Sequence, residues 1–144
     1  MNREQRHLGR ELALQWLFPI DIGRSSPDEV MAEVPDEFEG VVEAEGAEFA
    51  RQLVNGVIGD RKRIDSYLNR YSKGWPLDRM AGVERNVLRI ALFEILDLPD
   101  IPASVSIDEA IDVAKRYATD ESGKFVNGIL GAFMRGEMGD TRQA

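Results

Sequence analysis

The sequence contains no cysteine and a single histidine, His7. These absences exclude disulfides and thiolate metal sites and argue against a zinc centre. No apolar run approaches the about 18 residues that a membrane-spanning helix needs. The first ten residues, MNREQRHLGR, are too charged for a secretory signal. We therefore expect a cytoplasmic protein that does not enter a membrane.

The sequence patterns of common catalytic and cofactor sites are also missing. No GxGxxG, HExxH or GxSxG pattern occurs in the chain. The pair Gly123-Lys124 lacks both the earlier glycine and the following serine or threonine of a phosphate-binding loop. We predict a protein that is not an enzyme and that uses neither a cofactor nor a metal.

Acidic residues are concentrated in one segment of this chain, whose formal net charge is −8. Residues 27–50 contain nine Asp or Glu and no Lys or Arg, while the other 17 acids are balanced by 18 bases. The segment is typical of a solvated helix and loop. The alternative is an acidic surface that repels nucleic acid or binds a basic protein. The rest of the chain is nearly neutral, so its charge is compatible with binding an anionic partner.

Helical spacing of apolar residues runs through most of the chain, and no alternating strand pattern is present. After Phe18, Pro19 should either stop or kink the first helix. The fold is therefore predicted to be all-α, with about seven helices. Predicted helical segments cover residues 3–18, 27–34, 46–71 as one continuous helix, 77–80 and 83–98, and two further helices lie between about residue 107 and residue 133.

The last two helices carry recognisable start signals. Ser106 and Glu109 have the spacing of a capping box, which places a helix start at about residue 107. Thr119 or Asp120 can cap the following helix. Gly128, inside that helix, is expected to permit close contact with a neighbouring helix.

Residues 83–98 form the most apolar predicted helix. Between residues 87 and 96 only Arg89 and Glu94 are charged. A helix that is apolar nearly all round is buried nearly all round, and an unpaired buried charge is very costly. Both charged side chains are therefore expected to reach a rim or a partner.

The first predicted helix separates an apolar face from a basic one. Leu8, Leu12 and Trp16 lie on one side, and the ring of Phe18 lies close to His7 in azimuth. A strip of cations that ends in a ring suits single-stranded RNA, because cations bind phosphates and rings stack on bases. The alternative is an ordinary amphipathic helix with Phe18 in the core. The predicted basic strip consists of Arg3, Arg6, His7 and Arg10.

Several segments together resemble the NusB family of bacterial transcription antitermination factors. These are VERNVLRIALFEIL, an Ile-Pro turn, an IDEAI helix and a KFVNGIL helix, in that order. The resemblance begins near Leu8, is densest over residues 75–133 and is poor over 19–44. It implies one NusB-like domain over 1–144, built as two small helical bundles that share a long central helix. The implied subdomains cover about 1–72 and about 75–136, and no catalysis is implied.

The resemblance also implies a function. NusB-like proteins bind the boxA RNA of ribosomal RNA operon leaders together with NusE, a ribosomal small-subunit protein, in the antitermination complex of RNA polymerase. Implied NusE contacts are Asp78 and Glu84. Implied RNA contacts are Arg3, Arg6, His7, Arg10, Phe18, Glu121, Lys124 and Phe125.

The chain departs from the family pattern in the first helix. Its arginines are isolated rather than consecutive, and Phe18, followed by Pro19, replaces a tyrosine. We therefore expect weak RNA binding by the protein alone, with a salt slope of about −2 if about three phosphates are neutralised. The alternative function is a protein-only adaptor that holds NusE with little RNA affinity. The preferred RNA sequence, the role of the acidic segment, and monomer against homodimer stay open at this point.

Overall fold

Seven α-helices make up most of the computed structural model, which describes residues 1–23 and 25–139. No strand occurs in these ranges, so the all-α prediction of about seven helices is confirmed. Short 3₁₀ turns at Asp36–Phe38 and Leu77–Arg79 precede α3 and α5. The helices are α1 Arg3–Asp21, α2 Pro27–Met31, α3 Ala44–Gly59, α4 Arg61–Tyr71, α5 Gly82–Asp97, α6 Ala103–Tyr117 and α7 Asp120–Glu137.

Helix α5 lies at the centre of the fold and contacts α1, α3, α4, α6 and α7. Every residue from Asn86 to Glu94 is buried, as its composition predicted. The buried apolar side chains form one continuous cluster, and the division into two bundles with boundaries near 72 and 75 stays a prediction. In the described part of the chain, no helix is both long and apolar enough to cross a membrane.

Both buried charges of α5 have partners, as expected. Arg89 donates to Asp65 at 2.9 and 3.0 Å and to Asp21 at 2.8 Å. Glu94 accepts two hydrogen bonds from Arg10 of α1. These pairs run in reverse order along the two helices, so α1 lies antiparallel to α5.

Helix α1 continues through Pro19 to Asp21, so of the two predicted effects of this proline, a stop or a kink, the stop is excluded. Proline inside a helix costs about 3 kcal/mol, because it removes a hydrogen bond and crowds the preceding turn. The extra turn is held from outside: the Asp21 carboxylate also accepts from Arg85 at 2.6 and 2.9 Å. Tertiary ion pairs thus override the local preference.

The predicted continuous helix over 46–71 is wrong. Asp60 leaves helical geometry, with φ −117° and ψ 20°, and separates α3 from α4. Gly56 and Gly59 weaken the end of α3, because glycine costs about 1 kcal/mol in a helix. Gly56 has a packing reason, since a Cβ there would overlap the Phe93 ring of α5.

Helix α6 begins at Ala103, four residues before the predicted start. Ser106 is buried inside the helix, and its hydroxyl donates to Glu94 at 2.8 Å instead of capping. The capping-box interpretation is wrong because both of its residues are taken up by a tertiary network. The Thr119 cap of α7 is confirmed: its hydroxyl accepts from the Ser122 backbone N–H at 3.1 Å.

The close contact predicted at Gly128 is wrong as well. Gly128 is exposed, and a Cβ built there meets nothing within 4 Å. Two other glycines of α7 do touch a neighbouring helix: a Cβ on Gly123 would crowd the Lys115 side chain of α6, and one on Gly136 would overlap the Tyr71 ring of α4. The predicted 27–34 helix is present but shorter, at Pro27–Met31, and is capped by Ser26.

Candidate nucleic-acid interface

Helix α1 presents its apolar side to the core. Leu12, Trp16 and Leu17 are buried, whereas Leu8 is only half-buried. Asn2 caps the helix by accepting from the Gln5 backbone N–H at 2.8 Å. The remaining side of α1 carries the predicted RNA-binding residues, and the structure distributes them unevenly between solvent and interior.

Arg10 lies inside the protein, so its predicted place on an exposed strip is wrong. Only 4% of Arg10 is exposed. Its Nε and Nη2 donate to both oxygens of Glu94 at 2.9 and 2.8 Å, and its Nη1 donates to Glu109 at 2.9 Å. Burial opposes the charge, but the hydrogen bonds and attraction of Glu94 and Glu109 prevail and raise the pKa of Arg10. The acids on α5 and α6 draw this arginine inward.

His7 sits between two carboxylates at the edge of the same network. Its Nδ1 lies 2.9 Å from Glu109 Oε1, and its Nε2 lies 3.2 Å from Glu11 Oε2. The His7 side chain is 31% exposed, so one side still faces solvent. Glu11 is buried, and its Oε2 lacks a hydrogen bond while lying 3.4 Å from Arg116 Nε. His7 thus contacts two carboxylates of the protein as well as facing outward.

Arg3 and Arg6 are the cations that α1 offers to solvent. Arg3 is exposed and Arg6 half-buried. The guanidinium carbon of Arg6 lies 5.8 Å from the centroid of the Phe49 ring, and its Nε has no hydrogen-bond partner. Among the described residues, neither arginine forms an ion pair with a carboxylate. Both can therefore take up phosphates without breaking an internal pair.

Phe18 stands at the surface at the other end of α1. It is 47% exposed, which excludes the alternative that places its ring in the core. The ring leans against the first residue of α5, where a Cβ on Gly82 would lie 2.7 Å from it. Tyr117, the last residue of α6, lines the same cavity as Phe18. Two aromatic side chains therefore line one cavity where three helices come together.

The start of α7 provides the remaining predicted RNA contacts. Glu121 and Lys124 are highly exposed and lie 3.5 Å apart, Oε1 to Nζ. Phe125 is half-buried and packs against the core. Helix α6 packs on both α1 and α7, so its last turn connects the two groups of predicted contacts.

Sequence reasoning missed two residues of that last turn. Arg116 is 68% exposed, and its guanidinium carbon lies 5.8 Å from the centroid of the Tyr117 ring. A cation followed by an aromatic at the end of IDEAIDVAKRY was the available signal. This Arg-Tyr pair predicts an RNA-binding surface only when α6 is known to end beside Phe18. The spacing of apolar residues within a single helix cannot reveal that.

The predicted partner contacts lie just before α5 and in its first turn. Asp78 is exposed in the 3₁₀ turn Leu77–Arg79, and Glu84 is half-buried in the first turn of α5. Among the described residues, neither carboxylate forms an ion pair, and no cluster of three metal-binding side chains occurs. Both carboxylates are free to meet a basic partner, and their assignment stays a prediction.

The family model that matches this chain is that of the NusB family, over residues 7–135. The chain belongs to the NusB family. Transcription antitermination protein NusB of Heliobacterium modesticaldum is 50% identical over 130 residues, which cover 90% of this chain and 62% of that protein. NusB of Symbiobacterium thermophilum is 44% identical over 140 residues, covering 93% of this chain and 92% of that protein.

A solved structure of antitermination factors NusB and NusE in complex with dsRNA has the same fold. Its matching chain superposes with a TM-score of 0.82 at 29% identity, covering 94% of this chain and 99% of the other. The NusB resemblance seen in the sequence is thereby confirmed for family and fold. The RNA-contact and partner-contact residues within this NusB-family chain stay predictions.

Proposed function

We propose that this protein is a transcription antitermination factor that binds boxA-type RNA of ribosomal RNA operon leaders together with NusE. In this role it joins the antitermination complex of RNA polymerase in the cytoplasm and suppresses premature termination. Family membership, relatives named for this function and a related structure that contains NusE and RNA support the proposal. It requires binding and no catalytic step.

One observation carries the RNA side of the proposal. Exposed cations and rings follow one another along the open side of α1 and across the ends of α6 and α7. Cations bind the phosphates of a single strand, and rings stack on its unpaired bases. With Arg10 withdrawn into the core, the proposed surface consists of Arg3, Arg6, His7, Phe18, Arg116, Tyr117, Glu121, Lys124 and Phe125.

A second candidate function is a protein-only adaptor that binds NusE and has little affinity for RNA. The burial of Arg10 favours it, because one predicted phosphate contact is lost to Glu94 and Glu109. The net charge of −8 also weakens long-range attraction of RNA. Asp78 and Glu84 would serve either function, since a ribosomal protein offers basic side chains to free carboxylates.

Titration of boxA RNA with this protein, with NusE and with both separates the two functions. We expect weak binding by this protein alone and a clear gain over NusE when both are present, lost for a scrambled RNA of equal length. About three neutralised phosphates give a slope of log affinity against log salt of about −2. No gain over NusE would favour the adaptor, and a slope steeper than about −5 would place the RNA elsewhere.

The partner surface is tested by charge reversal. Asp78→Lys with Glu84→Lys should weaken NusE binding at low salt, because like charges repel across an interface. Glu33→Lys with Glu39→Lys is the matched control, since both are exposed acids in the 27–50 segment and their reversal changes the net charge equally. Equal losses from the two double variants would mean that net charge, and not this surface, governs the partner.

A further inference from the structure

A small cavity lies where the second half of α1, the start of α5 and the end of α6 meet. Its volume is about 220 Å³, and its lining residues are Leu14, Gln15, Phe18, Val83 and Tyr117. Pockets for drug-sized ligands measure about 300–1,000 Å³. This one suits a single planar ring system rather than an extended ligand.

Aromatic and aliphatic side chains form the walls of the cavity. Phe18 is 47% exposed beside it. Gly82 allows the Phe18 ring to approach the first turn of α5, because any Cβ there would lie 2.7 Å from the ring. Leu14 is buried and Val83 half-buried. A large ring left exposed next to apolar walls is typical of a surface that another planar group covers.

Two polar groups lie among these walls. The Gln15 side chain is half-buried, and it lines the cavity together with Tyr117, which carries a hydroxyl. Burial, and next the nearby Glu11 carboxylate, raise the pKa of Tyr117, so its hydroxyl keeps its proton at neutral pH. The Gln15 amide offers two donors and one carbonyl acceptor to a bound group. The cavity therefore holds donors and an acceptor for the edge of a heterocycle.

The rim of the cavity is suited to a phosphate. Arg116 lies in the last turn of α6, beyond the buried Val113 and Ala114. Its side chain is 68% exposed and lies next to Tyr117. The buried Glu11 carboxylate lies 3.4 Å from Arg116 Nε and holds the guanidinium at this position. A planar group that is joined to an anion fits both the walls and the rim. A nucleotide of a single strand has this chemistry, whereas an apolar peptide side chain does not.

We propose that this cavity takes one unpaired base of the bound RNA, stacked on Phe18 and Tyr117, and that Gln15 reads the edge of that base. The inference rests on the proposed RNA-binding function. It adds a specificity-determining residue, Gln15, which sequence patterns did not single out. The rings supply affinity for any base, and the amide distinguishes one base from another.

An abasic scan of boxA RNA tests the proposal. Each nucleotide in turn is replaced by an abasic one, and affinity for the complex of this protein with NusE is measured. Loss of a stacked base should weaken binding about 5- to 150-fold at one position. With Phe18→Ala, the same position should become insensitive, because the stacking partner is gone. Thermal unfolding confirms that this surface variant folds.

The reading role of Gln15 is tested at the position that the scan finds. Gln15→Met keeps the length of the side chain without its amide, so it should retain sensitivity to base removal and lose preference among the four bases. Tyr117→Phe should lower the same preference while stacking persists. The matched control is Gln52→Met, because Gln52 is an exposed glutamine on α3.

The outcomes separate this proposal from the proposed function. If wild-type protein tightens NusE on boxA but no abasic position responds to Phe18→Ala, the base pocket is refuted and RNA binding stands. If base preference survives Gln15→Met, the pocket holds a base and Gln15 does not read it, which refutes the specificity claim. If no RNA is bound with NusE present, both proposals fail together.

Discussion

Replacing Arg10 with methionine separates a buried structural arginine from an RNA-binding one. The substitution removes the cation and leaves Glu94, 1% exposed, with the Ser106 hydroxyl as its remaining hydrogen-bond donor. Breaking a buried ion pair by removing one partner costs about 3–5 kcal/mol. For a chain of this length, 1 kcal/mol corresponds to about 3 °C, so we expect the midpoint of thermal unfolding to fall by about 10–15 °C.

Two further variants show whether the loss comes from the unpaired acid. Arg10→Met combined with Glu94→Leu removes both charges and should recover more than half of the loss, since an apolar replacement of a buried pair is often neutral. Arg3→Met is the surface control and should change the free energy of unfolding by less than about 0.5 kcal/mol. Urea unfolding followed by circular dichroism measures all three variants.

RNA binding gives the complementary result. Each phosphate contact on a single strand contributes about −0.7 to the slope of log affinity against log salt. Arg3→Met should therefore make the slope shallower by about 0.7, and Arg10→Met should leave it unchanged at a temperature where both variants are folded. The reasoning is refuted if Arg10→Met is as stable as wild type and shows the shallower slope, because Arg10 would then face the RNA.

Two more predictions concern packing and pH. Burial alone would raise the pKa of Asp21, but its hydrogen bonds from arginines, Arg89 among them, lower it below its ordinary value of 3.8. Its stabilisation is therefore complete above pH 3.8 and lost as pH falls through the lower folded value. In urea unfolding, the stability gap between wild type and Asp21→Asn should narrow below that pH, and a constant gap would contradict this. Gly56→Ala should destabilise by about 1–3 kcal/mol because its Cβ overlaps Phe93. Gly128→Ala, in open space, should instead stabilise by up to about 1 kcal/mol in thermal unfolding.

Helix positions could largely be predicted from apolar spacing, because each buried stripe reports its own helix. The need of Arg89 and Glu94 for partners also followed from composition alone, since neither charge can stay unpaired in a buried helix. The identity of those partners could not be predicted. Asp21 and Arg10 lie far away in the sequence, and only the antiparallel packing of α1 on α5 brings them near.

The errors in helix ends have the same origin. Pro19 indicated a stop or a kink after Phe18, and a serine with a glutamate indicated a start near residue 107. In both places a tertiary contact outweighed the local signal: the arginines that hold Asp21 in one case, and Glu94, which takes the Ser106 hydroxyl, in the other. A local cap is worth about 1 kcal/mol, less than a buried network.

The candidate interface was partly predictable. A helical wheel found the polar side of α1, but it left Phe18 either exposed or in the core and assigned every arginine of that side to solvent. Position along α1 decides whether an arginine is exposed. Arg3 lies at the free end of α1, whereas Arg10 lies opposite two carboxylates of other helices. Tyr117 was missed because its role depends on where α6 ends in space.

Two ion pairs between α1 and α5 are oppositely arranged, because α1 supplies the anion in one pair and the cation in the other. At its middle α5 offers the cation Arg89 to Asp21, and nearer its end it offers the anion Glu94 to Arg10. An α1 docked in the reverse direction would place Arg10 beside Arg89 and Asp21 beside Glu94, burying like charges together. The same four side chains that hold α1 on α5 thus also disfavour the reversed orientation of α1 while the chain folds.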